Sequence, residues 1–197
     1  MRKQAREAGR TTPSLRDYAS DRMQPGDRLF GVVDAARDGG LARAARNRCG
    51  LETATLFGGP LAPFLDHVAP QLVTIALQSE FLEVWSQHLG RSAGILLVSN
   101  QPSRVLWSHL RHLFHVADED DAEYAFRYYD PRVLRVYLPT CTPHEATEFF
   151  GPVRQILVES EREGVMLSCS LGRAGVLITE GLVGAAATPA PAKGTPR

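Results

Sequence analysis

The sequence predicts an α/β fold with a mixed, largely parallel β-sheet that has helices on both faces. Stretches of strand composition alternate with stretches of helical composition from residue 29 to residue 118. The strand-like stretches are also continuously apolar, as in "LFGVVD" (29–34) and "GILLVS" (94–99). A strand with one solvent-exposed face would instead alternate polar with apolar residues. Both observations are typical of a sheet that is buried on both faces.

The individual elements follow this rhythm along the chain. Ser79 and Gly90 supply the N-cap and the stop signal of one helix, and another short helix ends at Pro70. Near the end, "VMLSCSL" and "AGVLITE" are separated by Gly172 and Arg173, which indicates a hairpin. The predicted helices are 41–49, 79–90 and 102–118. The predicted strands are 29–34, 52–57, 71–77, 94–99, 123–129, "RQILVES" and the two hairpin strands.

Four segments are expected. Residues 1–26 are polar and basic with few apolar anchors, so we predict a flexible arm. Residues 27–158 form the main domain, and the strands in 159–183 pack on it or beside it. The Ala/Pro/Gly-rich tail 184–197, "GAAATPAPAKGTPR", is predicted to be disordered.

Composition excludes several classes of protein. Lysine plus arginine equals aspartate plus glutamate at 22 each, and this zero net charge argues against a nucleic-acid partner. No run of about 18 apolar residues is present, so we expect no membrane span. The basic N-terminus lacks the apolar core of a secretory signal, and the three widely spaced cysteines indicate reduced thiols. We therefore predict a cytoplasmic protein.

Asp34 is the strongest catalytic candidate, because it ends the first predicted strand, where α/β folds bind ligands. Phosphatases that use a strand-end aspartate carry a second acid two residues later. That position is Ala36 here, and Asp38 lies four residues after Asp34. We expect Asp34 to cap a helix or to pair with Arg37. An α/β hydrolase or phosphotransfer enzyme that uses Asp34 with Asp38 or Asp130 remains the alternative.

Other catalytic and ligand-binding patterns are incomplete. Three histidines recur at steps of three in the 102–118 helix, a spacing that turns their side chains away from a common point. Thr142, Pro143 and Glu145 form a helix capping box. No dinucleotide-binding glycine motif and no phosphate-binding loop is present. We predict no catalytic residue, no cofactor and no metal site.

The stretch "FRYYDPRVLRVYLPT" (126–140) combines three arginines, three tyrosines and one aspartate. Asp130 is placed to cap a helix that begins at Pro131. Arg127, Arg132 and Arg135 lie within reach of that carboxylate, which predicts a structural clamp. The same cluster could bind an anion or a carboxylate from a partner.

Several blocks of the chain resemble a bacterial family that was first catalogued as a domain of unknown function. These blocks are "LFGVVDAARD", "ETATLFGGPLAPFLDHVAPQLV", "GILLVSNQPSRVLWSHLRHLFHVADED" and "FRYYDPRVLRVYLPTCTPHEATEFFGP". The resemblance covers residues 29 to about 158. Members of the family are adaptor chaperones, of the Tap/TEC type, for effectors of the type VI secretion system.

The resemblance implies a cytoplasmic, non-catalytic adaptor that binds a secreted toxin and helps load it onto a VgrG-type spike protein. It also implies a set of hallmark residues that are candidates for partner binding: Asp34, Arg127, Tyr128, Asp130, Pro131 and Arg132. Aromatic residues are common at the centres of protein interfaces. Further candidates for partner contacts are therefore Trp85, Trp107, Tyr128, Tyr129 and Tyr137.

Overall fold

The computed structural model describes residues 12–58, 62–117 and 123–184. Its strands are β1 (Arg28–Val33), β2 (Thr53–Thr55), β3 (Gln71–Ile75), β4 (Gly94–Ser99), β5 (His115–Ala117), β6 (Glu123–Ala125), β7 (Gln155–Glu159), β8 (Val165–Gly172) and β9 (Gly175–Leu182). Its α-helices are α1 (Leu15–Ser20), α2 (Gly39–Arg43), α3 (Ala62–Leu65), α4 (Phe81–Ser86), α5 (Ser103–His112), α6 (Pro131–Tyr137) and α7 (Pro143–Phe150). A π-helical turn, Ala44–Arg48, continues α2, and a 3-10 turn, Leu138–Thr140, follows α6.

Seven strands form one sheet in the order β2-β3-β1-β4-β7-β8-β9, and every neighbouring pair is antiparallel. β5 and β6 form a separate antiparallel pair. The prediction of a largely parallel sheet is therefore wrong. Continuous apolar strands report that both faces of a sheet are buried, and they carry no information about strand direction.

The sheet separates two hydrophobic clusters. In β1, Leu29 and Val33 face a cluster formed with α1, α2 and α4, whereas Phe30 and Val32 face a cluster formed with α5, α6 and α7. β7 alternates in the same way, since Leu157 joins the first cluster and its two neighbours join the second. This period of two follows from the pleat of a strand. It explains why the central strands contain no polar alternation.

Gly31 lets a helix approach the centre of the sheet closely. A Cβ atom at this position would lie 2.5 Å from Cζ3 of Trp85, which projects from α4. Trp85 is only 3% exposed and packs edge-on against Phe81. The glycine therefore provides the space that the indole ring fills.

The N-terminal helix is part of the core. Ser14 and Asp17 form a capping box at the start of α1, and Leu15 and Tyr18 are buried. The Tyr18 hydroxyl donates a hydrogen bond to the carbonyl of Met166 in β8 at 3.1 Å. Residues 15–20 thus pack against the sheet, unlike the arm expected for residues 1–26. The rest of that expectation, for residues 1–11, lies outside the described residues, as does the tail from 185 to 197.

Other elements differ from the prediction at their ends. The strand expected at 123–129 is confined to Glu123–Ala125, the helix expected at 102–118 ends at His112, and the helix expected at 79–90 begins at Phe81. The three C-terminal strands extend the main sheet rather than form a separate lobe. None of the helices within residues 12–58, 62–117 and 123–184 has the length and hydrophobicity that a membrane-spanning helix needs.

Candidate functional site

The chain turns sharply between β6 and α6, and Asp130 organises this turn. Its backbone N–H donates to the carbonyl of Arg127 at 3.0 Å. Its Oδ1 accepts a hydrogen bond from the backbone N–H of Arg132 at 3.0 Å, and Pro131 occupies the first helical position. The predicted capping role of Asp130 is therefore confirmed. The cap orients the arginine that follows it.

Arg132 binds the carboxylate of Asp130 with two side-chain hydrogen bonds. Nε donates to Oδ1 of Asp130 at 3.0 Å, and Nη2 donates to Oδ2 at 2.6 Å. Burial raises the pKa of Asp130, but the hydrogen bonds and charge of Arg132 outweigh burial, so the pKa is lowered overall. Asp130 is therefore held as a carboxylate, in the bidentate geometry that a guanidinium favours.

Asp34 follows β1 and is 1% exposed. Its Oδ2 accepts a hydrogen bond from Nη2 of Arg127 at 2.8 Å, and its Oδ1 accepts one from the backbone N–H of Arg37 at 3.1 Å. The side chain of Arg37 points elsewhere, and its Nε donates to the carbonyl of Arg91. The expected ion pair between Asp34 and Arg37 is therefore wrong, since Arg37 contributes only its backbone N–H and the charge partner is Arg127. Asp34 does not cap a helix either, because the N-cap of α2 is Asp38.

Arg127 connects the two carboxylates, since its Nη2 also lies 3.9 Å from Oδ2 of Asp130. We refer to Asp34, Arg127, Asp130 and Arg132 as the Arg–Asp cluster. Its carboxylate side chains are 1% and 2% exposed, whereas its guanidinium side chains are 49% and 51% exposed. Burial alone would lower the pKa of Arg127. The hydrogen bond to Asp34 and the neighbouring charges raise this pKa by more than burial lowers it, so Arg127 stays charged. The cluster is formally neutral and presents its positive half to solvent.

An open groove lies beside the cluster, with a volume of about 710 Å³. We refer to it as the cluster groove. Val136 on α6 is the most exposed of its apolar residues, at 72%. Its lining combines apolar side chains with three of the four cluster residues: Phe126, Arg127, Asp130, Arg132, Val133, Val136, Tyr137 and Thr140.

The surroundings of Asp34 do not favour nucleophilic chemistry. Both of its carboxylate oxygens accept hydrogen bonds, and the side chain is buried. Asp38, the proposed second acid, caps α2 through Leu41 and binds Nδ1 of His88 at 2.5 Å. Within the described residues, no group of three or more acidic, histidine or cysteine side chains could hold a metal ion.

The aromatic candidates separate into core and surface residues. Tyr128 is 1% exposed, and its hydroxyl donates to the carbonyl of Leu110 at 2.9 Å. Burial raises the pKa of this hydroxyl well above its ordinary value. Trp85 and Tyr129 are also buried, and half-buried Trp107 donates its indole N–H to the carbonyl of Thr55. Of the five aromatic candidates, Tyr137 lines the cluster groove.

Apart from Tyr137, sequence reasoning missed the apolar part of the groove. Val133, Val136, Tyr137 and Thr140 recur at the spacing i, i+3, i+4 and i+7, which places them on one face of a helix. Such a stripe more often faces a core than solvent. The available signal was that this stripe lies within the arginine-rich stretch 126–140.

Comparison with protein-family models matched residues 29–148 to a family described as a domain of unknown function, DUF4123. The match covers more than half of the chain and includes the whole Arg–Asp cluster and the cluster groove. No curated protein and no solved structure matched the chain. The chain belongs to the DUF4123 family, which is associated with effectors of the type VI secretion system.

Proposed function

We propose that this protein is a non-catalytic adaptor chaperone that binds a type VI secretion effector and helps load it onto a VgrG-type spike protein. The observation that carries the proposal is the cluster groove, which combines exposed Val136 and half-buried apolar side chains with two fixed arginines inside the family-matched region. In the proposal, the groove is the surface that the effector occupies.

The arginines define the chemistry of the effector segment. Each guanidinium has five N–H donors, and the hydrogen bonds to buried carboxylates use only some of them. The remaining donors are available to a carboxylate of the partner, because about half of each side chain is exposed. Asp34 and Asp130 already hold the arginines in place, so binding immobilises little further side-chain freedom.

The apolar lining defines the rest of the segment. Val136 is 72% exposed, and half-buried Phe126 and Tyr137 pack edge-to-face beside it with ring centroids 4.7 Å apart. Interfaces commonly have an apolar and aromatic centre with charged residues at the rim. The groove therefore fits an effector segment with apolar residues next to an Asp or Glu side chain.

Affinity measurements on the full chain test this assignment. An effector identified by mass spectrometry after co-purification is produced separately and titrated with wild-type protein by calorimetry. Val136→Asp and Arg132→Gln should each weaken binding roughly tenfold or more, the loss expected for a central interface contact. Val105→Asp and Arg104→Ala change exposed residues of α5 that lie outside the groove, and both variants should bind as the wild type does. Equal affinity of all five proteins would exclude the groove as the effector site.

Two further components of the proposal, loading onto the spike protein and the absence of catalysis, need separate measurements. Wild-type protein should bring the effector into a complex with the trimeric spike, and Val136→Asp should not. Asp34→Asn keeps a side chain of the same size, so a folded variant should still bind the effector. An effector modified or cleaved by wild-type protein but not by Asp34→Asn would support the enzymatic alternative instead.

A further inference from the structure

Strand β9 forms one edge of the main sheet. Among the described strands it pairs only with β8, along its full length from Gly175 to Leu182. The open edge ends at Leu182, because the N–H of Gly184 donates to the carbonyl of Pro13. Three of its apolar side chains are exposed: Leu177 (56%), Ile178 (36%) and Leu182 (63%). A long, apolar edge strand is a template for pairing with another strand, and proteins usually protect such edges with proline, lysine or a bulge. β9 contains neither proline nor lysine.

The register shows which backbone groups face outward. The N–H of Val183 donates to the carbonyl of Gly164 at 2.8 Å, immediately beyond the Val165–Leu182 pair. Hydrogen-bonded and non-hydrogen-bonded pairs alternate along an antiparallel ladder. The odd-numbered residues of β9 therefore bond to β8. The even-numbered residues direct their N–H and C=O groups away from the sheet: Val176, Ile178, Glu180 and Leu182.

The two ends of this edge carry opposite charges. Arg173 is exposed in the turn that precedes β9, and Glu163 is exposed in the loop beside its other end. Within the described part of the chain, neither residue belongs to an ion pair, whereas Arg162 pairs with Glu180. A strand that runs antiparallel to β9 and carries the same charges would place an arginine near each glutamate.

We infer that the outer edge of β9 pairs antiparallel with β9 of a second copy of this chain, which joins the two seven-stranded sheets into one. This inference does not rest on the proposed function. Thr179 lies opposite its own copy, Ile178 lies opposite Glu180, and Val176 lies opposite Leu182. This register pairs all four outward-facing residues, and it avoids the repulsion of two glutamates placed directly opposite each other.

Charge favours a second copy over an unrelated segment. The twofold axis of such a pair brings Arg173 of each copy towards Glu163 of the other, so both ends gain an attraction from one arrangement. The whole chain carries 22 basic and 22 acidic residues, so two copies have no net repulsion to overcome. The exposed leucines and isoleucine are removed from water in the same step.

Sedimentation equilibrium over a concentration series tests the inference directly. We expect the full-length wild type to change reversibly from one to two chain masses. Ile178→Glu places a carboxylate directly opposite Glu180 of the other copy, twice in each dimer, and should raise the dissociation constant roughly tenfold or more. Val105→Glu changes a similarly exposed residue in α5, near the opposite edge of the sheet, and should leave the dissociation constant unchanged. Thermal unfolding of the same samples separates lost pairing from lost folding.

Charge reversal tests the orientation without altering the strand. Arg173→Glu and Glu163→Arg should each raise the dissociation constant roughly threefold to tenfold, as expected for exposed ion pairs. The double variant should restore wild-type affinity, because the two ends are again complementary. Hydrogen exchange should show protection of the Val176, Ile178, Glu180 and Leu182 amides that increases with protein concentration.

Three results would overturn the inference. They are a monomer throughout the concentration series, a dimer that Ile178→Glu does not weaken, and a double charge reversal that fails to restore pairing. A monomer whose effector binding is lost in Ile178→Glu but kept in Val105→Glu would assign the β9 edge to a strand of the effector instead.

Discussion

Arg127 and Asp34 are 93 positions apart in the sequence, and their side chains meet through a hydrogen bond of 2.8 Å. The contact joins the end of β1 to the turn before α6. Asp34 is almost fully buried, so Arg127 supplies the charge that compensates its loss of hydration. The position of the cluster groove relative to the sheet therefore depends on this pair.

Arg127→Ala should lower the free energy of unfolding by about 1–3 kcal/mol, because it leaves the buried Asp34 carboxylate without its charged partner. Asp34→Asn removes that charge, so Arg127→Ala should cost less in the Asp34→Asn background. Chemical denaturation of the wild type, both single variants and the double variant measures the coupling. Additive effects would show that the two residues do not stabilise each other.

Asp130→Ala should destabilise the protein by about 1–3 kcal/mol at pH 7, because it removes both a helix cap and the partner of Arg132. Asp130→Asn keeps a capping side chain and loses only the charge. It should therefore retain part of the stability that the alanine variant loses. Equal melting temperatures for Asp130→Ala and wild type would contradict a structural role for Asp130.

The contribution of Asp130 should also depend on pH in a defined direction. Its pKa in the folded protein is lowered, so the charged form stabilises the fold fully above the ordinary aspartate pKa of about 3.9. This stability is lost as the pH falls through the lower pKa of the folded state. The stability difference between wild type and Asp130→Asn should be constant near pH 7 and shrink below about pH 4. A difference that grows on acidification would contradict this assignment.

Gly31→Ala should destabilise the fold by about 1–3 kcal/mol, the usual effect of adding a methyl group to a filled core. The new Cβ would lie 2.5 Å from the ring of Trp85. Gly39→Ala is the matched control, since its Cβ would meet only the far end of the Arg43 side chain, at 3.3 Å. Denaturant titrations of both variants compare the two sites. Equal stability of the two variants would mean that Trp85 moves aside at little cost.

Cys169 should resist thiol reagents in the folded protein. Its side chain is buried, and burial raises the pKa of its thiol to about 12, so little reactive thiolate forms. Cys49 and Cys141 are half-buried and should react first. Mass spectrometry after maleimide treatment at pH 8 should find two modified cysteines in native protein and three in guanidinium chloride. Early modification of Cys169 would show that β8 opens readily.

The sequence predicted the layers of the fold better than its topology. The continuous apolar runs of β1 and β4 identified a sheet that is buried on both faces, and the two hydrophobic clusters agree with that expectation. Strand direction depends on pairings between distant segments, such as β1 with β4 and β4 with β7. Local composition does not determine those pairings.

For the candidate site, too, the local features were predicted from the sequence and the long-range contacts were not. Asp130 and Pro131 interact with their immediate neighbours, so local sequence identified the cap. The Asp34–Arg127 pair spans two distant segments, and spacing alone could not connect them. Burial also decided which aromatic residues are available, because Tyr128 lies in the core whereas Tyr137 lines the groove.

Helix α1 depends on parts of the chain that the ribosome makes much later. Tyr18 bonds to Met166 across 148 positions, and the carbonyl of Pro13 accepts a hydrogen bond from the N–H of Gly184. Closing so large a loop loses entropy before the contacts compensate, which slows folding. By the time β4 is synthesised, α1 can pack against α4 and the first strands, but the β8 part of its contact surface does not yet exist. The docking of α1 is therefore completed only after β8 and β9 have emerged.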